Sequence, residues 1–263
     1  MSCGGLAQAT GVDFYSDWTI QNGDDYSNPP YDYIALHDSA TVTMTGGRIA
    51  VCFDAYDTSA FNFQDGVVDS TLQFHGSSTV TMTNGTTHGS FNMYDDSELN
   101  INGGTLLLGN VIALYGSSTA TMTGGALDVS GFNMYDNSIL NISGGILNGT
   151  HISIGNSNIL NLSGGNFGTG NETPWIYSKN IINIYGRDLS IVPYYTQTDS
   201  FVSGHWADDT AFGFILGRAQ IYNPQIVFHE IPEPATMFLL LIGITGVRRF
   251  NLSNRKDSLL QQT

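Results

Sequence analysis

Lysine and arginine are scarce in this chain, eight against 23 Asp and Glu in 263 residues. Half of them, Arg248, Arg249, Arg255 and Lys256, fall in the last sixteen positions. Residues 1–234 therefore hold 22 acids against four bases (Arg48, Lys179, Arg187 and Arg218), a net charge of −18. A field of that sign repels phosphate backbones, which excludes nucleic acid as a partner. Charged residues of both signs make up only 12% of the chain and proline only 7 residues. Cysteine is nearly missing: Cys3 and Cys52 form no recognisable disulfide framework. Cys3 lies in "MSCGGLAQAT", where Ala7-Gln8-Ala9 looks like the small-residue end of a secretory signal without its charged and apolar parts. Residues 1–9 then read as a signal-peptide remnant, and cleavage after Ala9 would leave Cys52 without an intrachain partner.

What is abundant is Gly (31 residues) together with Ser, Thr and Asn, a composition that suits β-structure with many turns. "ATVTMTGG", "STVTMTNG" and "STATMTGG" alternate with "SELNINGG", "SILNISGG" and "NILNLSGG". Their turn position is held by Gly46, Asp65, Asn84, Gly103, Gly124, Gly144, Gly164 and Gly186, at spacings of 19, 19, 19, 21, 20, 20 and 22. Each of these residue types tolerates positive φ, and Asn22-Gly23 reads as a weaker, earlier turn.

Aligning the repeats on that position gives apolar columns: Val42, Phe61, Val80, Leu99, Ala120, Leu140 and Leu160, then Met44, Phe63, Met82, Ile101, Met122, Ile142 and Leu162. Further back run Leu36, Ala55, Phe74, Met93, Leu114, Met134, Ile154 and Ile176, and beside them Ile34, Phe53, Leu72, Phe91, Ile112, Phe132 and Ile152. Alternation with period two means strands with one face buried. Short strands recurring about every twenty residues and stacking on one another describe an all-β fold, a single-stranded parallel β-helix of about eight turns over residues 10–187. A β-sandwich would give no reason for one turn chemistry to recur at that interval.

Nine residues before the turn stand His37, Tyr56, His75, Tyr94, Tyr115, Tyr135, Gly155 and Tyr177, a solvent-side column. Tyr56, Tyr94, Tyr115, Tyr135 and Tyr177 are candidate glycan-stacking residues, and Asp57, Asp95 and Asp136 beside them are candidate Ca²⁺ ligands. The plainer reading of the column is structural, since stacked rings steady a solenoid and Asp, Asn and Gly are common in turns. The Thr-x-Thr-x-Thr runs are interrupted by Glu98-Asn100-Asn102 and Ile139-Asn141-Ser143, so they form no unbroken threonine array for ice. No constellation points to catalysis. Arg48, Lys179 and Arg187 are scattered, Asp95 and Asp96 would point to opposite sides of a strand, and the six histidines show no metal spacing. The chain reads as a non-enzyme with no required cofactor.

Residues 188–230 lose the period and read as irregular capping strands, with Trp206, Phe212, Phe214 and Ile215 as apolar cover and "IVFHE" as the last strand. Pro232-Glu233-Pro234 then breaks the chain, Ala235 to Val247 is 13 residues without a charge, and Arg248 and Arg249 follow. Such a helix is about 20 Å long against a hydrocarbon core of about 30 Å, a marginal span. The positive charges after it put residues 251–263 in the cytoplasm and the β-helix on the other side.

This ending resembles the PEP-CTERM sorting domain in residues 231–250: Pro-Glu-Pro, an apolar helix, then arginines. The body looks like the autotransporter or pectin-lyase-like β-helix proteins, a group that includes polysaccharide lyases and hydrolases. The resemblance implies export, a transient inner-membrane anchor, and recognition near Pro232-Glu233-Pro234 by an exosortase, a membrane protease-transpeptidase. It further implies delivery to the surface or extracellular matrix of a Gram-negative-type bacterium, with exopolysaccharide as a candidate partner. Two departures stand out: the apolar segment is short, and the tail "FNLSNRKDSLLQQT" extends past the arginines.

Overall fold

The computed structural model describes residues 11–27, 30–107, 111–128, 131–147, 151–155, 157–167, 173–194, 198–218 and 224–231. Within these the chain is all-β, without a helix, and forms a parallel β-solenoid of about eight turns. One wall stacks Gly11–Phe14, Tyr33–Leu36, Cys52–Ala55, Leu72–Phe74, Phe91–Met93, Val111–Leu114, Gly131–Met134, His151–Ile154 and Trp175–Ser178, each parallel to the next. A second wall stacks Trp18–Ile20, Thr41–Ile49, Ala60–Val68, Thr79–Met82, Glu98–Ile101, Thr119–Met122, Ile139–Leu147, Ile159–Asn166 and the start of Ile181–Tyr194. The ends of the longer of these strands bend into a narrow third wall with Asp25–Tyr26, Thr86–Thr87, Thr105–Leu106 and Ala126–Leu127.

The alternation in the sequence is what builds the interior. In the second wall Val42, Phe61, Val80, Leu99, Ala120, Leu140 and Leu160 stack in register and none is more than 1% exposed. Residues between them point outward, where Thr43, Asn62, Thr81, Asn100, Thr121, Asn141, Asn161 and Asn183 form one column. Its lower end is an amide ladder: Asn183 Nδ2 donates to Asn161 Oδ1 and Asn161 Nδ2 to Asn141 Oδ1, both at 2.7 Å.

The turn chemistry differs from the expectation by one residue. The left-handed backbone falls not on Gly46, Asp65, Asn84, Gly103, Gly124, Gly144 or Gly164 but on the glycine after each, from Gly47 (φ 80°) to Gly165 (φ 104°). Several first residues are glycine for another reason: a Cβ on Gly103 would stand 2.1 Å from the carbonyl oxygen of Thr83 one turn away. Gly186 has no positive φ at all, because the last turn is built differently.

That difference shifts the register. Elsewhere six residues separate the inward residues on either side of the corner, as from Ile154 to Leu160. In the last turn Ser178 pairs with Ile154 and Ile182 with Leu160, only four residues apart. The corner is two residues shorter, so Ile176 packs under Ile152 and Tyr177 under Ser153. Counting back from Gly186 instead puts Ile176 with Ile154 and Tyr177 with Gly155.

Past Ile184 the chain leaves the repeat. Asp199–His205 lies antiparallel between the outer part of Ile181–Tyr194 and Ala211–Leu216, and the latter returns parallel to Trp175–Ser178. Trp206, Phe212, Phe214 and Ile215 are all buried there. The Trp206 ring lies flat on Phe212, centroids 3.7 Å apart, and its Nε1 donates to the Gly165 carbonyl at 2.8 Å. Gln225–Glu230 pairs with Ile181–Tyr194, and His229 stacks on Tyr185 at 4.2 Å.

The chain divides into two units, Met1–His229 and Glu230–Thr263, and of the second only residues 230 and 231 are described. Pro232, Glu233, Pro234, the apolar run 235–247, Arg248 and Arg249 lie outside the described residues, as do residues 1–9. Cys52 is disulfide-bonded, and the chain's other cysteine, Cys3, is among those outside. Among the described residues no helix is long and apolar enough to cross a membrane.

Candidate functional site: a ring ladder on the outer wall

The ring ladder follows from strand geometry. In the first wall His37, Tyr56, His75, Tyr94, Tyr115 and Tyr135 each come one residue after an inward side chain, and parallel in-register stacking sets them above one another about 4.8 Å apart. The rings respond by lying face to face. From Tyr15 through His37, Tyr56, His75, Tyr94 and Tyr115 to Tyr135, successive centroids are 4.8, 5.4, 5.1, 4.7, 5.0 and 4.8 Å apart, and no pair is tilted by more than 15°.

Two memberships differ from the sequence reading. Tyr15 belongs to the ladder, and the signal for it was present: Phe14-Tyr15 repeats the inward-outward step of Leu36-His37. Tyr177 does not belong. The short corner moves it beside Ser153, where it stacks loosely on His151 (6.3 Å) and Trp175 (6.0 Å).

Face-to-face stacking changes what Tyr56, Tyr94 and Tyr115 can offer. Both faces of each ring are covered by neighbours, so only their edges and hydroxyls meet solvent, and a sugar cannot lie flat on them. Tyr15 and Tyr135, at the two ends, each have a ladder ring on one face only among the described residues and are 65% and 42% exposed. Burial, then the neighbouring Tyr135 and Tyr94, pushes the Tyr115 phenol above its ordinary value. Burial, then the Asp54 carboxylate, does the same to Tyr56. Both phenols therefore stay protonated at neutral pH, and that of Tyr56 donates to Asp54.

The aspartates next to the rings are tied into the backbone. Asp38, Asp57, Asp95 and Asp136 all adopt left-handed φ between 57° and 59°, a conformation shared with Gly76 and Gly116 in the same column. Asp57 Oδ2 accepts from Asp38 N (3.1 Å), Asp95 Oδ2 from Gly76 N (2.9 Å) and Asp136 Oδ2 from Gly116 N (3.0 Å). Asp57, Asp95 and Asp136 sit on alternate turns, about 9.6 Å apart at two strand spacings. Among the described residues no three His, Cys, Asp or Glu gather as a metal site. Asp95 and Asp96 lie in a turn, not in a strand as expected.

A column that the sequence reading passed over lies under the same corner. Ser59, Ser78, Ser97, Ser118 and Ser138 are fully buried, and Asn158 takes the place in the next turn at 1% exposed. Ser59 Oγ donates to the Tyr56 carbonyl at 2.7 Å, while the hydroxyls of Ser78, Ser97 and Ser118 have no partner. The repeat Tyr-x-x-Ser in four turns was the available signal, hidden because serine reads as a solvent-facing residue.

Two acids elsewhere have opposite environments. Burial raises the Asp54 carboxyl above its usual range, against the field of His75 and hydrogen bonds from Gln73 and Tyr56. Burial also works against ionisation of Asp69. There, however, hydrogen bonds from Arg48 Nε (2.7 Å) and His88 (2.6 Å), with their positive fields, outweigh it and hold the carboxyl below its usual range. A depressed folded pKa stabilises above the unfolded value of about 3.9 and loses that contribution as pH falls through the folded value. Asp69→Asn is therefore expected to melt lower than the parent protein at pH 7, with the gap closing as the pH is taken below about 4. Melting curves across that range check it, and a gap independent of pH would contradict the assignment.

By fold the chain is a parallel β-solenoid protein, and the feature that distinguishes its surface is the ring ladder. No protein-family model, curated protein or solved structure matches it.

Proposed function

We propose that the chain is an exported, non-catalytic structural protein of the cell surface or extracellular matrix, delivered by a C-terminal sorting signal. The observation that carries this is the order of segments after the last strand. Gln225–Glu230 ends the described fold, and Pro232-Glu233-Pro234, the apolar run 235–247, and Arg248 and Arg249 follow at once. In this reading the run is a transient inner-membrane helix, the arginines are its cytoplasmic stop, and an exosortase-type protease cuts near Pro-Glu-Pro. The disulfide at Cys52 supports passage through an oxidising compartment.

The antiparallel strands Asp199–His205 and Ala211–Leu216, with Trp206 over Phe212, are the cap of this proposal. They bury the last apolar turn, which stacking alone would leave open. C-terminal mass mapping of surface material is expected to find chains ending near Pro234. Surface protein that still carries Thr263 would overturn the sorting signal. A second reading, a polysaccharide-binding module, is favoured by the free faces of the terminal ladder rings. For a β-helix lyase or hydrolase no supporting constellation is found among the described residues.

A further inference from the structure

The ladder stops at Tyr135 because of a single residue. In the next turn its place is taken by Gly155, which follows Ile154 as Tyr135 follows Met134, and Ile154 pairs with Met134. The turn after that contributes no ring either, since the short corner has carried Tyr177 away to Ser153. Below Tyr135 there is thus a notch one strand spacing high, about 4.8 Å, roofed by the free face of an aromatic ring.

The walls of the notch are polar. Residues two apart on a strand share a face, so Asn133 stands beside Tyr135, and Ser153, which is exposed, beside Gly155. Asn180 closes the lower side, its Nδ2 donating to the Gly155 carbonyl oxygen. At the back lies Asn158, whose Nδ2 donates to the Tyr135 carbonyl (2.8 Å) and Ser138 Oγ (2.7 Å). Its Oδ1 is buried and has no partner. That oxygen is 3.5 Å from the point a Cβ on residue 155 would occupy, so it faces the notch. A buried acceptor without a donor is unfavourable, and a ligand hydroxyl that reaches it as the Gly155 corner opens slightly would supply that donor.

We propose that the notch formed by Tyr135, Gly155 and Asn158 binds one pyranose ring of a neutral glycan, stacked on the free face of Tyr135. The ring supplies an apolar C–H face for the phenol and hydroxyls for Asn158 Oδ1, Asn133 and Ser153. Neutral sugars are favoured because the chain carries a net charge of −15 and Asp136 adjoins Tyr135, a field that opposes uronic-acid or sulfated glycans despite Lys179, which follows Ser178 in the turn below Gly155. The site does not depend on how the protein is delivered, so it stands or falls apart from the sorting signal.

The test is titration of the purified full chain with neutral oligosaccharides (β-glucan, xylan, mannan and chitin fragments) and with an oligogalacturonate, followed by calorimetry and NMR. At least one neutral oligosaccharide is expected to bind, with sugar C–H to Tyr135 ring contacts in the NMR spectrum. Tyr135→Ala is expected to weaken binding at least tenfold, Tyr135→Phe to retain it, and Tyr56→Ala, from inside the ladder, to leave it unchanged. The NMR contacts decide the matter on the parent protein even if a variant fails to fold. The proposal is overturned if no neutral oligosaccharide binds, if only the oligogalacturonate binds, or if Tyr135→Ala binds as tightly as the parent.

Discussion

Gly145→Val is expected to destabilise the solenoid by on the order of 3–5 kcal/mol, among the largest effects a single substitution can have here. Two independent costs meet at this position. The backbone sits at φ 87°, where a β-branched residue is strained. A Cβ there would also stand 2.7 Å from the Gly124 carbonyl oxygen and 2.2 Å from the terminal methyl of Met122. The methyl can swing aside, but the carbonyl belongs to the turn above and cannot move without shifting that strand. Gly23 separates the two costs: its φ is 98°, yet nothing lies within 4 Å of the added atom. Gly23→Ala should therefore lose only about 1–2 kcal/mol. Denaturant titration of both variants measures the gap, and equal losses would show that the close approach between turns is unimportant.

Phe91→Ala is the second large effect, with an expected loss of about 3–5 kcal/mol. Phe91 is fully buried in the middle of the stack, between Leu72 above and Ile112 below. Because each turn touches only its neighbours, no distant part of the core can collapse into the cavity. Phe228, 37% exposed on the last strand, provides the contrast, and its replacement by Ala should cost no more than about 0.5 kcal/mol. Unfolding followed at both positions checks the pair; similar losses would mean that the central turns are not tightly packed.

Most of the fold could be read from the sequence because a solenoid writes its geometry locally. Val42, Phe61, Val80 and Leu99 fall in one buried column since each turn repeats the same step. The left-handed position came out one residue early because Asp65 and Asn84, which commonly adopt positive φ, stand where glycine stands in other turns. The site was legible only in outline. The column of rings was visible, but whether a ring offers its face or its edge depends on the tilt of its neighbours, which spacing does not encode. The notch depended on a corner two residues shorter than the rest and on Asn158 replacing a buried serine, both silent in an alignment made on the glycine turns.

The short corner between Ser178 and Ile182 carries a more general lesson about how such a chain can be edited. Its length sets the phase between the two walls, so removing two residues slid every side chain of Trp175–Ser178 by one in-out period. Inward residues stayed inward, and the core kept an apolar Ile176 under Ile152. The outer pattern, in contrast, jumped by a full column, and the aromatic ladder was not resumed below Gly155. Loop length can thus redraw the exterior of a β-solenoid while its interior remains unaware of the change.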